Sequence, residues 1–252
     1  MLDALWQIGL LARYVEDLHT VLSVIAGVDW QDTGVVPMPL RDPSAVDLKK
    51  LRVAFHTDNG IVAPTPDTTS VAGETAKALA EAVGIIEEAR PPGIEETYEI
   101  YLGLFAADGG AGIEELLRDA GTEDVHPLMS EVLGLQRSNA RSIKEFGSLV
   151  TRWDRFRSTM LRFMDRFDVV LCPVCAFPGM EHGATYKKLS AFSYTMAYNL
   201  TGWPAAVVRA GTSPEGLPIG VQIVARPWRE DVALAVAGFI EKALGGYQRP
   251  PI

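Results

Sequence analysis

The segment that decides the fold begins with LRVAF at residues 51–55 and ends with IIEEA at residues 85–89. Apolar and polar residues alternate in LRVAF, and both short runs are typical of β-strands. Between them, Thr65 precedes Pro66, which suits a helix start because the first helical position needs no backbone N–H donor. The apolar face of this helix ends at Gly84. Strand, helix and strand at this spacing predict a βαβ unit and therefore parallel strand pairing.

Three more strands and several helices are expected outside this unit, which makes the chain α/β. The expected strands are DVVLCPV (168–174), AAVVRAG (205–211) and LPIGVQIVA (217–225). A turn at residues 213–216 joins the last two. The expected amphipathic helices are 13–26, 94–107, 113–120, 188–200 and 230–244. The longest periodic run, 138–167, is expected to divide into two helices near Gly147.

The composition is that of a folded protein and excludes two classes. The 252 residues are 48% hydrophobic and 22% charged, with a formal net charge of −9. This acidity argues against a nucleic-acid binder, whose domain is normally basic. No apolar run reaches the ~18 residues of a membrane span. Two cysteines offer no disulfide framework and the N-terminus lacks the pattern of a signal peptide, so we expect a reducing compartment, the cytoplasm.

Three local patterns are expected to have structural roles only. Cys172 and Cys175 form a C-x-x-C pair, but it ends an apolar strand instead of opening a helix, and no second pair exists. We therefore expect no metal there. The GGAG run at 109–112 lacks the trailing residues of a P-loop and is expected to be a turn. The arginines between 137 and 166 are expected to form a solvated helix face.

The residues alone show no complete catalytic constellation. No G-x-S-x-G pattern occurs. The four histidines, at positions 19, 56, 126 and 182, lie outside any recognised motif. From the residues themselves we therefore predict no catalytic residue, no cofactor and no metal ligand.

Several stretches resemble motifs of the amidase signature family, the serine hydrolases that cleave carboxamides. GLLARYVEDLHTVLSVIAG (9–27) resembles the family's G-P-x-A-R-s-v-x-D-l segment, with Leu10 where the family usually has proline. YNLTGWPAAVVRAG (198–211) and GLPIGVQIVARPWRED (216–231) resemble its N-x-x-G-x-P-A and G-L-P-x-G-x-Q pair. The 51–88 unit and the strand DVVLCPV follow in the family's order, so the resemblance covers nearly the whole chain. It implies a twisted mixed sheet flanked by helices, and no metal or organic cofactor.

The Ser–Ser–Lys triad of that family has no counterpart in this sequence. The resemblance places the triad and the oxyanion loop upstream of the segment that matches residues 9–27, and no lysine precedes Lys49. We therefore expect residues 1–252 to be the C-terminal portion of a single amidase signature domain without the catalytic N-terminal half. The implied parent activity is hydrolysis of a small-molecule amide through an acyl-serine intermediate. The isolated chain is expected to be inactive, because it lacks both the activated nucleophile and the oxyanion hole.

The resemblance also implies a substrate-binding wall within LSAFSYTMAYN at residues 189–199. The string SYTMAYN is similar to the fatty acid amide hydrolase branch of the family. In that branch, the positions that match Leu189, Phe192 and Met196 line the acyl-binding channel. The helical spacing of the three residues taken alone fits an ordinary core stripe equally well.

Residues around this wall are expected to be structural. Asn199 can bond to backbone at a turn, Gly202 permits a positive φ, and Pro204 stiffens the start of the next strand. Gln222 lies in an apolar strand and is expected to be a buried amide with its hydrogen bonds satisfied.

Two alternatives to an amide hydrolase stay open. One is a non-catalytic remnant or structural partner protein. The other is the amidase-like subunit of a tRNA-dependent amidotransferase, a relative with the same C-terminal motifs. Because the fold looks incomplete without the catalytic half, we expect self-association, low stability or dependence on a partner such as a separate catalytic half. The strand segments 51–55, 169–174 and 217–224 are expected to keep an uncovered apolar face.

Overall fold

The computed structural model describes residues 5–6 and 8–249, which form eight α-helices and one five-stranded sheet. The strands are Arg52–Phe55 (β1), Ile85–Glu88 (β2), Val169–Pro173 (β3), Ala205–Thr212 (β4) and Pro218–Ala225 (β5). The helices are Val15–Ile25 (α1), Pro66–Ala80 (α2), Thr97–Phe105 (α3), Ala111–Asp119 (α4), Pro127–Ser138 (α5), Ile143–Met164 (α6), Ser193–Thr201 (α7) and Glu230–Leu244 (α8). Short 3-10 turns occupy Pro43–Ala45, Leu48–Lys50, Ile94–Glu96 and Tyr186–Phe192.

The sheet is mixed, in the order β2-β1-β3-β5-β4. β1 pairs in parallel with both β2 and β3, which confirms the predicted βαβ unit. Its helix begins where the sequence indicated, with Thr65 accepting a hydrogen bond from the backbone of Thr68. β5 pairs antiparallel with β3 and with β4. The carboxyl ends of β1 and β3 therefore meet at one edge of the sheet, below the loops that follow them.

Each face of the sheet is covered by its own set of helices. Val53, Leu171 and Ile223 point to a core formed with α1, α2 and α8. The alternate positions Ala54 and Val170 point to a second core, formed with α3, α6 and α7. Alternation of side chains along a strand explains why neighbouring residues reach opposite cores.

The expectation of uncovered strand faces at 51–55, 169–174 and 217–224 was wrong. Every residue of β3 is buried, and so are the central residues of β1 and most of β5. The long helix α6 and the shorter helices α3 and α7 cover one face, and α2 and α8 cover the other. The most exposed apolar side chains lie elsewhere, in the segment before α1, on α1, in the loop after it and at the start of α6: Ile8, Leu11, Val24, Trp30 and Ile143.

The helix expected to break near Gly147 is continuous through that residue. α6 runs unbroken from Ile143 to Met164, and the break lies before it, at residues 139–142. Ser142 starts α6 with a capping box, in which its hydroxyl accepts from the Glu145 backbone and Glu145 accepts from the Ser142 backbone. This reciprocal pair fixes the helix start, and an exposed glycine inside a long helix costs only about 1 kcal/mol relative to alanine.

The helix expected at 188–200 is two segments. A 3-10 stretch, Tyr186–Phe192, precedes α7, and Lys188 within it has non-helical angles of φ −126° and ψ 34°. α7 ends at Gly202, whose positive φ of 68° confirms the expected role of this glycine. Among the described residues, no helix has the length and apolar character needed to cross a membrane.

Candidate functional site

The three predicted wall residues are close in sequence but lie in two different elements, a 3-10 stretch and an α-helix. Leu189 and Phe192 belong to the 3-10 stretch and are half-buried, whereas Met196 lies in α7 and is 5% exposed. Because a 3-10 turn has three residues and an α-turn has 3.6, the shared face deduced from α-helical spacing does not extend back through Leu189. Their role in binding a substrate stays a prediction.

A loop after β1 holds the start of α7. The side chain of Asn59 is fully buried, and its Nδ2 donates to Ser193 Oγ at 2.8 Å. Asn59 Oδ1 accepts from the backbone N–H groups of Ile61, at 3.0 Å, and Val62, at 3.4 Å. The hydroxyl of Tyr194 donates to the carbonyl oxygen of Val62 at 2.9 Å. The first turn of α7 is thus tied twice to the loop at the carboxyl end of β1.

Gln222 ties the same turn to the sheet. Its Nε2 donates to the carbonyl oxygen of Pro173 at 2.9 Å and to that of Tyr194 at 2.8 Å. The expectation that Gln222 is a buried, satisfied amide is therefore confirmed. It joins the end of β3 to α7 from its position on β5.

Buried polar groups continue under α7. The Cys172 thiol lies 3.6 Å from the Tyr198 hydroxyl, and both side chains are buried. Burial raises the pKa of Cys172 to about 12 and the pKa of Tyr198 well above its usual value. Both groups are therefore neutral at pH 7, and Cys172 is not an activated nucleophile.

An aromatic stack that the sequence did not reveal lies on the α3 side of α7. The rings of Trp6 and Phe105 stack with centroids 5.8 Å apart, and those of Phe105 and Tyr101 with centroids 6.3 Å apart. Burial raises the pKa of Tyr101, and a hydrogen bond with Asn199 opposes this effect. That Asn199 bonds to backbone at a turn stays a prediction. The only sequence signal for the stack was the i, i+4 spacing of Tyr101 and Phe105.

His56 is buried with one ring nitrogen unpaired. Its Nδ1 donates to the carbonyl oxygen of Asp58 at 3.1 Å, which leaves Nε2 as an acceptor without a partner. Burial lowers the pKa of His56 to about 4, and the positive charge of Arg90 acts in the same direction. The imidazole is therefore neutral at pH 7. No nucleophile is hydrogen-bonded to it within the described residues.

The described serines form no relay with a lysine. Three of them bond to nearby glutamate carboxylates, in the pairs Ser70–Glu74, Ser142–Glu145 and Ser213–Glu215. Across residues 5–6 and 8–249, no hydrogen bond joins a serine hydroxyl to a lysine ammonium. A Ser–Ser–Lys triad is not assembled from this part of the chain.

One groove lies away from the predicted wall. It has a volume of about 560 Å³ and runs between α3 and the start of α6. Its floor is polar, because Arg152 donates to Glu99 at 2.8 Å and to Glu96 at 3.2 Å. The hydrogen bonds that Arg152 donates to Glu99 and Glu96 raise its pKa despite its partial burial. Its shape and polarity suit solvent and ion pairs better than an apolar acyl group.

The described residues bring together no group of three or more metal-ligating side chains. Cys172 and Cys175 are both free thiols; the first is buried and the second half-buried. That the C-x-x-C pair binds no metal stays a prediction.

Comparison with known proteins places this geometry in a family. The chain is 27% identical over 266 residues to fatty-acid amide hydrolase 2-A of Danio rerio, an alignment that covers 96% of this chain and 48% of that protein. It is 25% identical over 277 residues to a glutamyl-tRNA(Gln) amidotransferase subunit of Fusobacterium nucleatum, covering 99% of this chain and 57% of that protein. The chain therefore spans about half the length of the curated relatives it matches.

The fold agrees with these similarities. The solved structure of 6-aminohexanoate cyclic dimer hydrolase in complex with substrate superposes with a TM-score of 0.80 at 26% identity. That superposition covers 95% of this chain and 55% of the hydrolase. The sequence profile of the family described as Amidase matches residues 3–234. The chain belongs to the amidase signature family.

Proposed function

We propose that residues 1–252 supply the substrate-recognition portion of an amide hydrolase, whose catalytic Ser–Ser–Lys triad comes from polypeptide outside these residues. The chain is the C-terminal portion of one amidase signature domain. One observation carries the proposal: the similarity to amide hydrolases extends over 96% of this chain but only about half of the relative, while no described serine bonds to a lysine.

The substrate is a small-molecule amide with an apolar acyl group. Leu189, Phe192 and Met196 form the wall that contacts this group. Three apolar side chains in sequence, two of them half-buried, suit a binding surface that excludes water from an alkyl or aryl chain. The similarity to a fatty-acid amide hydrolase supports this choice of acyl group.

A photoaffinity experiment tests the wall. The purified chain is irradiated with an amide whose apolar acyl chain ends in a benzophenone, digested with trypsin and examined by mass spectrometry. Cleavage after Lys188 and Arg209 releases the peptide 189–209, which contains all three wall residues. We expect the label in this peptide, and competition by the unlabelled amide.

A matched pair of variants sharpens the result. Phe192→Ala should reduce labelling of 189–209, because the exposed half of this ring contributes acyl contact. Phe146→Ala removes another half-buried phenylalanine, on α6, and should leave the labelling unchanged. Labelling spread over unrelated peptides, or equal loss in both variants, contradicts the assignment of the wall.

Absence of catalysis by the isolated chain is the second half of the proposal. Without a serine–lysine relay and its oxyanion hole, an amide lacks both nucleophilic attack and the several kcal/mol of transition-state stabilisation that such a hole provides. Acyl p-nitroanilides should not be turned over above background. A fluorophosphonate probe, which labels activated serines, should not react stoichiometrically. Either reaction would contradict the proposal.

A second candidate is the amidase-like subunit of a tRNA-dependent amidotransferase. The alignment with the Fusobacterium protein over 99% of the chain supports it. The net charge of −9 and the SYTM string favour the hydrolase. Saturable binding of L-glutamine without binding of an apolar acyl amide would reverse this preference. A third candidate, a structural partner without a ligand, requires that neither compound binds.

Cytoplasmic location belongs to the same proposal. Cys172 and Cys175 are both free, as is usual for proteins in a reducing compartment. Besides the amide substrate, we expect a protein partner, which is either a separate catalytic half or a second copy of this chain.

A further inference from the structure

The start of α7 depends on side chains from outside the helix. A side chain at the start of a helix can accept a hydrogen bond from the first turn, as Thr65 does in α2 and Ser142 in α6. The residue at that position of α7 is Phe192, which has no such group. Two side chains from outside the helix, those of Asn59 and Gln222, bond to the first turn instead, and the hydroxyl of Tyr194 in that turn donates to the carbonyl oxygen of Val62.

The Asn59 contact is fixed at both ends of one amide. Its oxygen accepts from two backbone N–H groups of its own loop, so Nδ2 must point toward Ser193. Asn59 and Ser193 are both fully buried, which excludes water as a substitute partner. An unpaired polar group at this depth is unfavourable, so the hydrogen bond has one orientation and one length.

The Gln222 contact is equally constrained. Both protons of its Nε2 are used, one on the last residue of β3 and one on Tyr194. β3 and β5 are interior strands of the sheet and are largely buried, so the amide is anchored in the core. Gln222 therefore sets the distance between the sheet and the first turn of α7.

We propose that Asn59 and Gln222 are positioning residues for acyl recognition, because they fix the helix turn that carries Phe192 and Met196. Phe192 immediately precedes Ser193, and Met196 lies three residues after it, within one helical turn. This proposal rests on the proposed function, which assigns these two residues to the substrate wall. A shift of the turn changes where the acyl chain is contacted, and with it the chain length that fits best.

The test measures selectivity for chain length rather than stability. The probes are amides of dansylcadaverine with butanoic and dodecanoic acid, and the readout is the ratio of their dissociation constants from dansyl fluorescence. Ser193→Ala removes only the hydroxyl oxygen that accepts the hydrogen bond from Asn59 Nδ2. Gln222→Met removes both N–H donors of the side-chain amide and replaces it with a side chain of similar volume. Thr75→Val is the matched control, because Thr75 is buried on the opposite face of the sheet and bonds only within its own helix.

The expected result is a fall of about tenfold in the selectivity ratio for Ser193→Ala and Gln222→Met, the size of effect that one misplaced methylene produces in an apolar pocket. Ser193→Thr keeps the hydroxyl and should restore the ratio, and Thr75→Val should leave it unchanged. If both test variants bind with the wild-type ratio, the positioning role is wrong while the proposed function stands. If the wild-type chain binds neither probe, the proposed function is wrong and the positioning role with it.

Discussion

The side-chain amide of Gln222 donates a hydrogen bond to the carbonyl oxygen of Tyr194 at 2.8 Å and so joins β5 to α7. The same amide also bonds to Pro173 at the end of β3. α7, which carries Met196 of the predicted substrate wall, is thereby attached to two central strands through one side chain. Its position follows that of the sheet, although the residues involved are far apart in sequence.

Replacing Gln222 should destabilise the fold. Gln222→Met keeps the volume but removes two buried hydrogen bonds, which should lower the free energy of unfolding by about 2 kcal/mol. Gln31→Met changes an exposed glutamine in a loop and should have no measurable effect. Urea denaturation followed by circular dichroism measures both. Equal stability of the two variants would show that the Gln222 contacts are not needed.

Stability should fall as the pH drops below 6.5 because of His56. Its pKa is about 4 in the folded chain and about 6.5 when unfolded, so the unfolded state binds more protons between these values. The contribution of neutral His56 to the free energy of unfolding is therefore complete above pH 6.5 and is lost progressively as the pH falls toward 4. At pH 5 the loss from this group should be about 2 kcal/mol. Arg90 and Asp58 are the charged groups that act on the ring.

Two variants isolate this contribution. His56→Gln removes the titrating group and should flatten the dependence of the unfolding free energy on pH between 7.5 and 5. His182→Gln changes an exposed histidine and should leave the dependence as it is in the unmodified chain. A steep fall that persists in His56→Gln would assign the effect to carboxylates instead.

The two thiols should differ in reactivity. Cys172 is fully buried with its pKa raised to about 12, whereas Cys175 is half-buried, and burial raises its pKa less. A thiol reagent such as 5,5′-dithiobis(2-nitrobenzoate) should modify Cys175 in the folded chain and Cys172 only after unfolding. Cys175→Ser should then abolish native labelling, and Cys172→Ala should not. Rapid native labelling of Cys172 would contradict its position in the core.

Thr65 and residues 230–244 show what the sequence predicted well. The cap at Thr65 and the final helix agree with the structure because both depend on residues close in sequence. Every predicted strand formed within two residues of its expected ends. Errors arose where local signals compete: the capping box at Ser142 outweighed Gly147, and a kink at Lys188 divided a periodic run.

The support of α7 could not be predicted in the same way. Asn59 and Ser193 are 134 residues apart, and no periodicity links a loop asparagine to a distant serine. The burial of both sheet faces was also missed, because it depends on how α3, α6 and α7 pack together. The resemblance to the family predicted a wall at residues 189–199 but not the contacts that hold α7.

Self-association stays a prediction, but the surface expected to form the contact is no longer a face of the sheet. Both sheet faces are covered, so any contact between copies should involve exposed apolar residues such as Val24 and Trp30, which are 80% and 90% exposed. In sedimentation velocity, the sedimentation coefficient should increase with protein concentration. This increase should be smaller in the double variant Val24→Glu/Trp30→Ser. Ile143→Glu alters an isolated exposed residue at the start of α6 and should not reduce it. A single monomeric species at every concentration would contradict the prediction.

One titration follows both the binding of an apolar acyl amide and the cleavage of its C–N bond. The chain is titrated into the dodecanoyl amide of dansylcadaverine while dansyl fluorescence reports binding and chromatography reports free dansylcadaverine. We predict saturable binding and no release of the amine above background, because the proposed wall would contact the acyl chain and no described serine bonds to a lysine. Release of dansylcadaverine in proportion to the protein, or no binding at all, would contradict it.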